Sequence, residues 1–243
     1  MTASTSPPVR PPIGAFKPYY RDADLTAEEQ QIVDRFHDLY YSKLDGGVGL
    51  HTIVLAWMGH EMFKCPMDLW LYQELIVLRR PNLIIETGTY KGGSALYLAC
   101  ICDMVGEGSV VTVDIDDTHR AIQPQHPRLR YVSGSSTAPE IFAQVAAQAA
   151  AAGPEVMVIL DSDHRRDHVL DELRLYSELV PVGGLLVVED TNVNGHPTYP
   201  EFGPGPWEAV DAFLAENPRF VADRSFERFL LTMNPRGVLR RVE

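Results

Sequence analysis

Asp161, Asp163 and His164 follow the apolar run Val156 to Leu160, so a stretch patterned as a strand buried on both faces delivers two carboxylates and an imidazole to one edge. A second apolar run, Leu185 to Val188, ends in Glu189 and Asp190. If the two strands are neighbours, Asp161, Glu189 and Asp190 converge, and three carboxylates repel one another unless a cation lies between them. Hard oxygen ligands select Mg²⁺, with water and substrate oxygens completing an octahedron. The alternative is that Asp161 or Asp190 caps a helix or loop while Glu189 points to solvent. His164, three positions after Asp161, falls on the same side. Beside a divalent ion that acidifies an alcohol, an imidazole removes the proton near neutral pH; a lone histidine is otherwise structural or solvated. Asp163 either tunes His164 or caps the next helix, whose exposed first turn holds Asp167 and His168.

A second constellation opens with "ETGTYKGGS". Gly88, Gly92 and Gly93 permit a tight turn and close approach to a ligand, and the helix that follows offers its free N–H groups. Asp114, 26 positions after Gly88, is placed to accept hydrogen bonds from both hydroxyls of a ribose. Alternatively, the glycines only turn the chain and Asp114 is solvated. The spacing Gly-x-x-x-Gly-Gly, with Glu86 in front, departs from the Gly-x-Gly-x-x-Gly that brings a pyrophosphate against a helix. A non-haem iron triad on His164 and Asp167 lacks a second histidine at matching spacing. Trp57 and His60 either line an acceptor pocket or, for Trp57, pack in the core. His196 and Tyr199 either touch substrate or are solvated.

Short Val/Ile/Leu runs alternate with helical patterns, "NLIIET", "GGSALYLACICDM", "SVVTVDI", "LRYVSG", "APEIFAQVAAQAAAAG", "EVMVILD", "HVLDELRLYSELV" and "GLLVVED". This order implies an α/β fold, a parallel sheet covered by helices on both faces. "RFVADR" and "RFLLTMN", separated by "SFE", predict a C-terminal antiparallel hairpin. "TNVNGHPTYPEFGPGP" is long and rich in Gly and Pro, which marks a lid or binding loop. Ahead of the sheet, Thr26 and Glu29 form a capping box for one helix, and Pro66 suits the first turn of "PMDLWLYQELIVLRR". The expected organisation is a mobile arm over 1–22, N-terminal helices over 23–80 and a cofactor-binding core over 81–243.

A net charge of −12 in 243 residues argues against nucleic acid and for small-molecule partners. Cys65, Cys100 and Cys102 sit in apolar segments without a metal or disulfide spacing, which fits a reducing cytoplasm. No signal peptide or membrane span is expected. The first helix and the proline-rich arm are placed to meet a sister subunit, so a homo-oligomer is expected.

"ETGTYKGGSALYLA", "VDID", "VSGSS", "ILDSDH" and "VVEDTN", in this order, resemble class I S-adenosylmethionine-dependent methyltransferases. The nearer resemblance, over roughly residues 50 to 235 and including "KCPMDLWLYQELI", is to the cephalosporin hydroxylase/rhamnosyl O-methyltransferase family. It implies a Rossmann-like, seven-stranded, mostly parallel sheet whose last-placed strand is antiparallel. It further implies that Glu86, Gly88 and Ser94 surround the methionine part of the cofactor, that Asp114 holds the ribose, and that Gly134, Ser135 and Ser136 lie near the adenine. Thr89, Tyr90, Gly93, Ile115 and Asp161 complete that set. Lys64 either pairs with the cofactor carboxylate or is a surface charge. Asp161, Glu189 and Asp190 match metal ligands, and His164 matches the general base of metal-dependent sugar O-methyltransferases, with Asp161 beside it. Catechol-type enzymes carry Lys at the position matching His164, a departure that counts against a catechol here. The expected activity is methyl transfer from S-adenosylmethionine to a hydroxyl of a deoxysugar or related natural-product alcohol. A NAD-dependent dehydrogenase and a non-catalytic cofactor-binding partner protein are the alternatives.

Overall fold

The structure, a computed structural model, describes residues 25–44 and 55–243. The predicted arm over 1–22 lies outside them. Helix α1 (Ala27–Leu44) starts at the predicted capping box: Thr26 N–H donates to Glu29 Oε2 at 2.8 Å, and Glu29 N–H donates back to Thr26 Oγ1 at 3.3 Å. A short hairpin of β1 (Leu55–Trp57) and β2 (His60–Met62) follows, turned by Met58 and Gly59, both at positive φ. The sequence reading did not separate this hairpin from the loop around it.

Next come α2 (Pro66–Arg79), β3 (Leu83–Thr87), α3 (Gly93–Val105), β4 (Ser109–Asp114), β5 (Leu129–Ser133), α4 (Pro139–Ala152) and β6 (Val156–Leu160). The chain ends with α5 (Arg166–Tyr176), β7 (Leu185–Val188), α6 (Pro206–Glu216), β8 (Phe220–Ala222) and β9 (Val238–Arg241). Seven of the strands form one sheet in the order β5-β4-β3-β6-β7-β9-β8. Its β5-to-β7 part is parallel, and β9 runs antiparallel to both β7 and β8.

Alternation with period 2 splits each buried strand between two cores. Ile85, Val158, Leu160 and Val188 face α4, α5 and α6, where Val145, Leu173, Tyr176 and Phe213 are buried. Ile84, Met157, Ile159 and Val187 face α2 and α3, against Leu75, Ile76, Leu98 and Cys102. This double burial explains why the strands read as unbroken apolar runs.

One prediction is corrected. The apolar stretch "RFLLTMN" is not a strand; β9 is the more polar "VLRR". Leu231 and Met233 pack instead against Cys65, and Met233 N–H donates to the Asp68 carboxylate at 2.9 Å, so side-chain chemistry from α2 takes a donor that a strand would spend on its ladder. Arg240 and Arg241 tolerate a place between two strands because their heads reach Asp223 and the Val180 carbonyl at the sheet's edge.

Candidate active site

In a doubly wound sheet, ligands bind beyond the carboxyl ends of the strands, where the strand order reverses. That point lies between β3 and β6, and a cavity of about 610 Å³ opens there.

At one end of the cavity stands Asp114, the last residue of β4. Its Oδ2 accepts the N–H groups of Thr89 and Tyr90, each at 2.8 Å, and its Oδ1 accepts that of Asp116 at 2.8 Å. The carboxylate is thereby fixed against the turn after β3, with lone pairs left for hydroxyl donors. Ile115, Ser135 and Ser136 line the same end, while Gly88, Thr89, Tyr90, Gly93 and Ser94 line the middle. Tyr90 is flanked by Phe63 and His119, with ring centroids 5.1 and 4.9 Å away.

The glycines also have a packing reason, beside the expected close approach to a ligand. At Gly88, with φ +86°, a Cβ would lie 1.9 Å from the Asp161 carbonyl oxygen; at Gly93 it would lie 2.3 Å from that of Glu61. They let β3, β6 and the β1–β2 hairpin close on one another. Gly134 and Glu86 do not line the cavity. A Cβ on Gly134 would meet the Ile141 side chain at 2.5 Å. Glu86 is fully buried, and burial raises its pKa to about 7 against the pull of Lys64, Ser94 and Thr112. Its Oε2 accepts from Thr112 Oγ1, and its Oε1 has no hydrogen-bond partner among the described residues.

At the other end lie Asp161, His164 and Asp190. Parallel pairing of β6 with β7 makes their ends neighbours, as the sequence predicted, and Glu189 N–H donates to the Leu160 carbonyl at 2.9 Å. One ligand-type atom from each of Asp161, His164 and Asp190 falls within 4.8 Å of the others. His164 Nε2 stands 3.2 Å from Asp190 Oδ2. Asp190 has φ +54°, a left-handed conformation that Asp tolerates better than most residues, and its N–H is held by Asn234 Oδ1 at 3.0 Å.

Glu189 is arranged differently from Asp161 and Asp190. Its buried Oε1 accepts from Lys64 Nζ at 2.6 Å and from the Tyr72 hydroxyl at 2.5 Å. Lys64 also reaches Asp161 Oδ2 at 2.5 Å and is itself buried, which rules out a surface charge. Burial works against the ammonium, but Asp161, Glu189 and Glu86 outweigh it and raise its pKa. Burial likewise raises the pKa of Asp161, Glu189 and Asp190, with Lys64 opposing most strongly at Asp161 and Glu189 and His164 at Asp190. One ammonium against three carboxylates leaves negative charge uncompensated, which suits a further cation.

His168 is a second departure. Its ring lines the cavity rather than an exposed turn, with Nε2 at 3.1 Å from Ser162 Oγ, 3.3 Å from Ser136 Oγ and 3.4 Å from the fully buried Glu172. Contact with Glu172 raises its pKa against burial. No sequence signal marked it, because Glu172 reads as one more polar residue of α5. Asp163 does not cap the helix: the N-cap of α5 is Arg165, and Asp163 Oδ1 accepts Arg165 N–H at 3.0 Å in the turn just ahead of it.

Trp57, His60, His196 and Tyr199 do not line this cavity. Trp57 packs edge-on against Tyr97, the core alternative. His196 stacks on Trp207 at 4.2 Å and meets Glu208 at 3.0 Å, so it ties down the Gly/Pro-rich loop.

Residues 51–242 match the family model described as Rhamnosyl O-methyltransferase/CmcI. The chain belongs to this family. It is 39% identical to a rhamnosyl O-methyltransferase of Mycobacterium tuberculosis (strain H37Rv), over 92% of this chain and 88% of that one. The corresponding Mycobacterium leprae protein is 38% identical, over 82% of each chain. Among solved structures, a CmcI structure named with Mg and SAM superposes with a TM-score of 0.58 at 20% identity, covering 78% of this chain and 77% of that one. A CmcI apo-structure gives 0.59 at 21% identity, covering 78% and 76%. These two share the fold, including the mostly parallel seven-stranded sheet. Family membership decides for an S-adenosylmethionine-dependent O-methyltransferase over a nicotinamide-dependent dehydrogenase.

Proposed function

We propose that the chain methylates a hydroxyl of a deoxysugar, rhamnose or a close analogue on a larger natural product, with S-adenosylmethionine as donor, Mg²⁺ as metal and His164 as base. The observation that carries this reading is one cavity with a ribose-type carboxylate, Asp114, at one end and the Asp161–His164–Asp190 cluster at the other. The names of the relatives support the sugar acceptor.

In this reading Asp114 takes the ribose hydroxyls, Ser135 and Ser136 border the adenine, and Gly88 and Ser94 border the methionine part. Asp161, Glu189 and Asp190 would hold Mg²⁺, which supplies Lewis acidity toward the acceptor hydroxyl. Asp161 and Asp190 each bring a carboxylate oxygen to within 4.8 Å of the other, and hard oxygen donors of this kind would suit a small divalent ion. With its Nε2–H donated to Asp190, His164 keeps Nδ1 free to take the hydroxyl proton. As that proton leaves, the C–O bond forms in line with the breaking S–C bond, and S-adenosylhomocysteine remains. A sugar hydroxyl is far less acidic than a phenol, so it has more need of the base.

The exposed residues Ile32, Phe36 and Leu39 along α1 support a homo-oligomer, which light scattering tests.

The acceptor is tested with labelled S-adenosylmethionine, Mg²⁺ and a panel of rhamnosylated metabolites, their aglycones and catechols. Label is expected in a sugar methyl ether. Label only in aglycone or catechol would contradict the reading.

A further inference from the structure

We propose that Lys64 is an internal rival of the metal: its ammonium binds Asp161 and Glu189 in the metal-free chain and must release Glu189 before a divalent ion can use all three carboxylates. This rests on the reading above, that the cluster takes Mg²⁺.

Four observations support the competition. First, the contested atoms are specific: Lys64 Nζ lies 2.5 Å from Asp161 Oδ2 and 2.6 Å from Glu189 Oε1. Second, both ends of the Lys64–Glu189 pair are almost solvent-free, at 3% and 4% side-chain exposure, so water does not screen the ammonium from an incoming ion. Third, the Tyr72 hydroxyl donates to the same Glu189 oxygen, so Glu189 is doubly occupied on the side facing α2. Fourth, Lys64 enters from the segment between β2 and α2, whereas its two carboxylate partners end sheet strands. It can withdraw without breaking the sheet that sets Asp161 and Asp190.

The consequence is an affinity below what three carboxylates would otherwise give, because Coulomb repulsion between a divalent ion and a nearby ammonium is large in a dry site. The test is calorimetric titration of Mg²⁺ into the full-length, chelator-stripped protein without donor, for wild type, Lys64→Met and Lys64→Arg. Lys64→Met is expected to bind Mg²⁺ at least tenfold more tightly than wild type. It is also expected to melt at lower temperature without metal and to gain more from added Mg²⁺ than wild type gains. Lys64→Arg keeps the charge and is expected to stay within about threefold of wild type. Folded Lys64→Met with unchanged or weaker affinity would overturn the proposal. If Lys64→Met does not fold without metal, tight wild-type binding matched by no Mg²⁺ rescue of its melting would do the same. Absence of Mg²⁺ binding in all three proteins would overturn the metal reading itself, and Lys64's role with it.

Discussion

His164 Nε2 and Asp190 Oδ2 meet at 3.2 Å, one from the β6–α5 loop and the other from the end of β7. The contact orients the imidazole with Nδ1 turned away from Asp190, an arrangement that serves a base beside a metal and a ligand of it alike, and the proposed function assigns the first role. His164→Ala is therefore expected to lower kcat by roughly 10²- to 10⁴-fold. Mg²⁺ affinity should stay within about threefold, measured by calorimetry. An affinity loss above about tenfold would make His164 a ligand.

Asp114 joins two tasks, the turn after β3 and the proposed ribose contact. Asp114→Asn keeps one oxygen for the Thr89 and Tyr90 N–H groups but loses charge and half the acceptors. S-adenosylhomocysteine binding should weaken about tenfold or more in calorimetry, while the melting temperature falls only slightly. Unchanged affinity would remove Asp114 from the donor site.

Gly88 sets how closely β3 and β6 approach. A methyl group there collides with the Asp161 carbonyl at a φ of +86°. Gly88→Ala is expected to cost roughly 2–4 kcal/mol of stability in denaturant unfolding and to lower activity by moving Asp161. A variant as stable and active as wild type would show that the strands have room.

His37 ties α1 to the loop after β7, its Nε2 lying 3.0 Å from Asn192 Nδ2. Burial lowers its pKa to about 4, against the pull of Asp34 and Asp38, from an ordinary value of 6.5. The folded pKa lies below the unfolded one, so this stabilisation is fully present above pH 6.5 and is lost as pH falls toward 4, up to about 3 kcal/mol in all. Hydrogen-exchange protection factors in α1, taken relative to the intrinsic rate at each pH, should fall across that window, and His37→Gln should flatten the dependence. Equal acid sensitivity in the variant would contradict it.

The sheet was legible because its strands are buried on both faces, which leaves unbroken apolar runs such as Val156–Leu160 and Leu185–Val188. The same regularity puts Asp161, Glu189 and Asp190 at one edge on the pattern of the sequence alone. What stayed hidden depends on contacts between residues far apart in the chain. Nothing in "FKCP" says that Lys64 lies between two carboxylates, or in "QELI" that the neighbouring Tyr72 shares one of them. His168 gains its place only because Glu172 is buried beneath it. The strand β9 was missed because its two arginines outweigh its apolar pair in any local pattern, while "RFLLTMN" looked more strand-like than its hydrogen bonds allow.

The central claim, that Asp161 and Asp190 position a metal on which methyl transfer depends, is tested most directly by the transfer rate to a rhamnosylated acceptor after chelator dialysis. The rate is expected to fall at least 100-fold, to return on adding Mg²⁺, and not to return in Asp161→Asn or Asp190→Asn. Full-rate transfer in the presence of chelator would contradict the claim.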